Sequence, residues 1–119
     1  MTQRDATPGE PFLYIYRLKD GAGPEYDRRH ADVWPAMLEL LMEAGIDDYQ
    51  IWRHEEIVVC RLRARAGFRA AAGILNASDV QRRWTESLTH LFDSVALGNG
   101  EPLWLDEVFR YGVTLKAAI

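Results

Sequence analysis

Between residues 12 and 18 nearly every position is apolar, with Phe12, Tyr14, Tyr16 and Leu18 on one parity and Leu13, Ile15 and Arg17 on the other. This aromatic and β-branched run predicts a first strand, apolar on most of both faces. Lys19-Asp20-Gly21-Ala22-Gly23 reads as a turn. The spacing then changes to threes and fours: Tyr26, His30, Val33/Trp34, Met37 and Leu41 form the apolar stripe of a helix over 24–44. Pro24 suits its first position, Glu25 complements the dipole there, and Gly45 stops it. Pro35 lies inside this pattern, removes the hydrogen bond to the Ala31 carbonyl and predicts a kink just after His30.

Two strands are expected over 46–53 and 57–63, joined through His54-Glu55-Glu56 as a tight hairpin. An Ala-rich helix follows over 67–75. Ser78 with Gln81 three residues on reads as a capping box, opening a helix whose inward stripe is Val80, Trp84, Leu88 and Leu91. Gly98-Asn99-Gly100 reads as a loop and 103–111 as a last strand. The order β-α-β-β-α-β, its second helical region in two pieces, predicts an α+β fold of the ferredoxin-like type, with one antiparallel sheet and helices on one face. The other sheet face has nothing in the chain to cover it. It either lines a ligand cavity or packs on a second copy. One domain is expected over 1–119, with its core in 12–111 and looser segments at 1–10 and 112–119.

Composition narrows the function. The 119 residues are 48% apolar and 27% charged with a formal net charge of −4, an ordinary globular balance. The basic residues form no single tract, which argues against nucleic acid as a partner. Arg61, Arg63 and Arg65 alternate and read, with Arg69, as a solvated rim. Cys60, the only cysteine, sits in an apolar strand and reads as a buried, inert thiol. No run has transmembrane length, and residues 1–10 lack a signal peptide's basic-then-apolar plan, so no membrane partner and a cytoplasmic location are expected.

Candidate chemistry is concentrated in Tyr26-Asp27-Arg28-Arg29-His30-Ala31-Asp32-Val33-Trp34-Pro35. Tyr26 and His30 are four apart, so they lie one above the other on one helix face. His30 is either a proton-exchanging group near neutral pH or a core histidine satisfied by a backbone carbonyl. Arg28 and Arg29 are expected to split, one solvated and one paired with Asp27 or Asp32. Tyr49, Trp52, Trp84 and Trp104 recur in other elements, either as core filling or as the aromatic surface on which a sugar's C–H face stacks. Histidines His30, His54 and His90 fall on different elements without metal-ligand spacing, so no metal site is expected, and no phosphate-cradling loop or nucleophile elbow occurs.

The string Tyr26-Asp27-Arg28-Arg29-His30 followed by Val33-Trp34-Pro35 resembles the YxRRHxxxWP segment of the L-rhamnose mutarotase family. Tyr49-Gln50-Ile51-Trp52 is similar to that family's NYxIY strand, Gln81-Arg82-Arg83-Trp84 to its QRWW helix start, and Leu105-Asp106-Glu107-Val108-Phe109 to its closing LxEVF strand. The resemblance runs in order over 12–111. It implies a dimeric α+β barrel, a homodimer of ferredoxin-like domains, acting as a cofactor-free isomerase that interconverts the α and β anomers of a free deoxy-sugar. It further implies that His30 is the proton donor and that Tyr26, Tyr49, Arg83 and Trp84 contact the monosaccharide, with the general base left open among Asp32, Tyr49 and water. Where the family carries tandem tryptophans this chain has Arg83-Trp84, which leaves the sugar open between L-rhamnose-like and L-fucose-like compounds. Two other readings share the fold: a cofactor-independent monooxygenase-like enzyme and a non-catalytic sugar-binding dimer.

Overall fold

The computed structural model describes residues 8–93 and 102–112. Strand β1 (Pro11–Arg17) leads into helix α1 (Gly23–His30), helix α2 (Pro35–Glu43), strand β2 (Ile46–His54) and strand β3 (Ile57–Ala64). Helices α3 (Phe68–Asn76) and α4 (Asp79–Leu88) follow, then a 3-10 turn (Thr89–Leu91) and strand β4 (Leu103–Leu105). The strands pair antiparallel in the order β2-β3-β1-β4, the ferredoxin-like arrangement expected. The expected loop at 98–100 and most of the two terminal segments lie outside the described residues.

The long helix expected over 24–44 is two helices. Proline at position 35 disfavours helical backbone at the residue before it. Trp34 is accordingly extended, with φ −57° and ψ 136°. Pro35 is then the first residue of α2, where its missing N–H costs nothing. The break leaves His30 as the last residue of α1, at a free end rather than inside a continuous rod. Gly45, with φ 82°, closes α2 in the left-handed region as expected.

Register decides which side chains meet. Phe12, Tyr14 and Tyr16 of β1 lie opposite Leu62, Cys60 and Val58 of β3, all on the helix-covered face. In β2 the pairing slips between Ile46 and Asp48, so a bulge at Asp47 inserts one extra residue. Ile46 and Tyr49, of opposite parity, therefore face the helices together, and Ile51 and Arg53 follow Tyr49. The register runs unbroken from the hairpin back through Tyr49, so the bulge sets the facing of Ile46, which without it would point to the other side. The two-residue hairpin loop Glu55-Glu56 is tight as expected, and Glu55 takes a positive φ of 55°.

Between sheet and helices lies the core, in which Leu18 and Val58 are fully buried and Met37, Leu40, Leu62, Leu88 and Leu91 nearly so. Ser78 caps α4, its hydroxyl accepting from the Val80 N–H at 3.1 Å. The reciprocal arm expected from Gln81 does not form, because the Ser78 N–H already donates to the Leu75 carbonyl at 3.0 Å. The last strand stops at Leu105 rather than 111: beyond it Val108, Phe109 and Tyr111 stand in solvent instead of continuing along β1.

The opposite sheet face carries Trp52, Val59, Ile15 and Leu103 in one row and Gln50, Arg61, Leu13 and Leu105 in the next. Arg61 donates to Asp48 and to Gln50 at 2.8 Å, and Arg63 pairs with Asp47 at 3.1 Å. The arginines thus form a paired rim around an apolar centre.

Candidate functional site

One end of the helix layer opens into a cavity of about 410 Å³, lined by His30, Val33, Met37, Leu38, Leu41, Tyr49, Ile51 and Trp84. Three elements bring its polar and aromatic groups together: the last residue of α1, Tyr49 on the helix-facing side of β2, and Trp84 on the inward face of α4. The remaining wall is aliphatic. This is the size and character of a small-molecule site, mostly apolar with a few convergent polar groups.

His30 is held by its own helix. Its Nδ1 lies 2.9 Å from the Tyr26 carbonyl oxygen, and a carbonyl only accepts, so Nδ1 carries the hydrogen. Nε2 is then the nitrogen left for chemistry. The imidazole stacks on the buried Tyr26 ring, centroids 4.2 Å apart, and meets the edge of Trp84 at 5.7 Å. Trp34, just past the helix break, packs edge-on against Trp84 at 5.0 Å. Three rings thus brace the imidazole, Tyr26 and Trp84 directly and Trp34 through Trp84, while leaving it half-buried on the cavity.

Behind the cavity the phenols of Tyr14, Tyr16, Tyr26 and Tyr49 gather around the Cys60 thiol. Burial pushes all of them up, Tyr16 and Cys60 to about 12 and the other three well above the ordinary phenol value. The Tyr49 ring presents an exposed edge, yet its hydroxyl reaches inward to Tyr14 and Cys60. These groups stay protonated at neutral pH. Tyr49 is no base, and what it turns to the cavity is its ring edge. Cys60 is the buried, inert thiol expected from the sequence.

A family model described as L-rhamnose mutarotase matches residues 12–111. The chain belongs to the L-rhamnose mutarotase family. The L-rhamnose mutarotase of Verminephrobacter eiseniae is 36% identical over 95 residues, covering 79% of this chain and 87% of that protein. That of Brucella anthropi is 42% identical over 48 residues, covering 40% of this chain and 45% of that protein. The crystal structure of an L-rhamnose mutarotase from Formosa agariphila matches at a TM-score of 0.71 with 18% identity, over 87% of this chain and 99% of that one, which shows a shared fold.

In this mutarotase-family chain the residues singled out by sequence do not all converge. His30, Tyr49 and Trp84 line the cavity, and Tyr26 lies directly beneath His30. Arg83 is exposed and pairs with Asp79 at 2.9 Å, one residue and about 100° around α4 from the inward Trp84. Asp32 is exposed in the α1–α2 break and is not among the lining residues. The expected split of the arginine pair occurs with a different acid: Arg29 pairs with Glu25 at 3.4 Å while Arg28 is exposed. Asp27 is engaged instead by Arg53. Sequence reasoning missed Leu38 and Ile51 as lining residues. Ile51 was accessible from its alternation with Tyr49, whereas Leu38 lies off the helical stripe and gives no signal.

Proposed function

We propose that this chain interconverts the α and β anomers of a free deoxy-sugar, with His30 moving the proton. The observation that carries the reading is a single cavity that brings the Nδ1-anchored imidazole of His30 together with the Tyr49 phenol and the Trp84 indole. Mutarotation needs a proton on the ring oxygen and the loss of one from the anomeric hydroxyl. Protonated His30 gives the first, and the C1–O bond of the ring opens to the aldehyde as a water or the newly neutral imidazole takes the second. The aldehyde rotates about C1–C2 and the steps reverse on its other face. Positioned acid–base catalysis of this kind supplies about 10²–10⁴-fold.

Each remaining group has a simple part. Tyr49, its hydroxyl held inward by Tyr14 and Cys60, lends its ring edge to the cavity wall. Trp84 offers its ring to the sugar's C–H face, and the aliphatic wall of Val33, Leu38, Leu41 and Ile51 suits the methyl of a 6-deoxy compound better than a sixth hydroxyl. Tyr26 holds His30 in place. Arg83 would reach a sugar only by leaving Asp79. The L-rhamnose named in the relatives is the leading candidate substrate, ahead of L-fucose, and the reaction as written calls on no cofactor.

We further propose that the protein is a cytoplasmic homodimer joined through the open sheet face. Because the cavity lies on the helix side, the apolar row Trp52-Val59-Ile15-Leu103 has no ligand to serve and suits a second copy. Saturation-transfer NMR between the two anomeric protons tests the function across L-rhamnose, L-fucose and their 6-hydroxy counterparts. Accelerated exchange for a deoxy-sugar supports it. Binding without acceleration would favour the non-catalytic reading, and oxygen uptake with an aromatic substrate would favour the monooxygenase-like one.

A further inference from the structure

Helix α1 carries the proposed proton donor and is held toward the 3-10 turn by Glu25, whose carboxylate lies 3.2 Å from His90 Nε2, and by Tyr26 against Phe92. It is eight residues long, and its inward-facing anchor is Tyr26. Because His30 is bound to the Tyr26 carbonyl, the imidazole travels with α1. Its distance from Tyr49, on β2, is therefore fixed only as firmly as α1 is fixed to β2.

Among the described residues an ion pair makes that connection. Arg53 lies on the same face of β2 as Tyr49, four residues further along, and its guanidinium forks onto the Asp27 carboxylate: Nε to Oδ1 at 2.8 Å and Nη2 to Oδ2 at 2.5 Å. The remaining nitrogen, Nη1, donates to the Glu55 carbonyl in the hairpin at 2.8 Å. The group also sits against the first turn of α1, where a Cβ on Gly23 would lie 2.3 Å from Nη1 and 2.7 Å from Cζ. A bidentate fork specifies direction as well as distance. Arg53 is thus braced by its own hairpin, fixed to Asp27 and given room by a glycine.

We infer that Arg53, Asp27 and Gly23 form a clamp that positions His30 against Tyr49 and Trp84 for proton transfer. Arg53 and Asp27 touch no cavity surface, so they are positioning residues. The inference rests on the function proposed above, since it assigns the clamp to the geometry of that reaction. A displacement of about 1 Å in a reacting group can cost about a hundredfold in rate. A loosened clamp should therefore lower kcat by about ten- to a hundredfold and leave KM, set by Trp84, Tyr49 and the aliphatic wall, within about threefold.

The test uses the full-length protein in Arg53→Met, Asp27→Asn, the double variant, Gly23→Ala and Arg53→Lys. Gly23→Ala keeps every charge and displaces only the flexible guanidinium. Arg63→Gln, which breaks the Arg63–Asp47 pair on the opposite sheet face, is the control for losing a surface ion pair. We expect kcat to fall in Arg53→Met, Asp27→Asn and Gly23→Ala, to fall no further in the double variant, to recover in part in Arg53→Lys, and to stay unchanged in Arg63→Gln. A nuclear Overhauser contact between the His30 imidazole and the Trp84 indole should weaken in the same variants and persist in the control. The clamp is overturned if that contact and kcat per folded molecule survive Arg53→Met and Gly23→Ala, or if the two single effects add. Should the wild type exchange no sugar's anomers, the proposed function fails, and the imidazole–indole contact alone still decides whether the clamp holds His30.

Discussion

Raising the pH past 9 should destabilise the protein through its buried thiol and phenols, and Cys60 carries a separable share of that loss. Cys60 is 1% exposed. Burial pushes its thiol from 9.0 up to about 12, outweighing the hydrogen bonds to Tyr49 and Tyr14 that pull the other way. The native state therefore keeps a proton that the unfolded chain has already released. The resulting stabilisation is complete below 9.0 and is lost as the pH climbs from there toward about 12. At about pH 10.5 the loss from this one group is about 2 kcal/mol, at about 1.4 kcal/mol for each pH unit above the unfolded value. Tyr16, raised from 10.0 to about 12, and the three other buried phenols steepen the wild-type curve further, so the comparison has to be made against Cys60→Ala. That variant loses packing at every pH, and the slope rather than the level is what counts. Urea midpoints measured at intervals from about pH 8 to 10.5 should fall less steeply for Cys60→Ala than for the wild type. A native thiol that reacts with Ellman's reagent as fast as an unfolded one, or two curves that run parallel above pH 9, would refute the reasoning.

Truncating fully buried Leu18 to alanine should cost about 2–5 kcal/mol in urea unfolding, because the sheet and the 3-10 turn around it cannot collapse into the space. Ser78→Ala removes the bond to the Val80 N–H and should cost about 1 kcal/mol by the same measurement. Trp84→Phe keeps a ring beside His30 but shortens the stacking surface. Anomer-exchange kinetics should show KM rising by about three- to tenfold with a smaller change in kcat, about the worth of one aromatic contact.

Much of this architecture was legible because local rules and the fold agree. The alternation in 12–18, the turn residues at 19–23 and the stripe of α4 each report a surface that must be buried, and the structure buries it. Two failures have specific causes. The helix over 24–44 was read from a stripe that continues across Pro35, but a stripe records which faces are apolar and says nothing of whether the backbone is continuous. The preference of Trp34 for extended backbone settled that point. The last strand was read from apolar residues to 111, while pairing requires a partner strand, and β1 begins at Pro11 opposite Arg63 with no room for so long a neighbour.

For the site, Tyr26 and His30 were visible as an i, i+4 pair. That Tyr49 meets His30 and Trp84 in one cavity depends on how β2, α1 and α4 pack, which no local pattern announces. Arg83 and Trp84 were read together as neighbours in sequence, but on a helix consecutive residues face different ways, and only Trp84 turns inward. The Arg53–Asp27 fork joins residues 26 apart across two elements. Such a contact exists only once the chain is folded.

The most direct test of the account is the rate of anomer exchange in His30→Gln, measured on the sugar the wild type accepts, alongside far-ultraviolet circular dichroism and sugar affinity. With His30 as the proton carrier, the catalysed rate falls by about 10²–10⁴-fold while the fold and the affinity remain those of the wild type. A folded His30→Gln that still exchanges anomers at the wild-type rate would contradict the assignment.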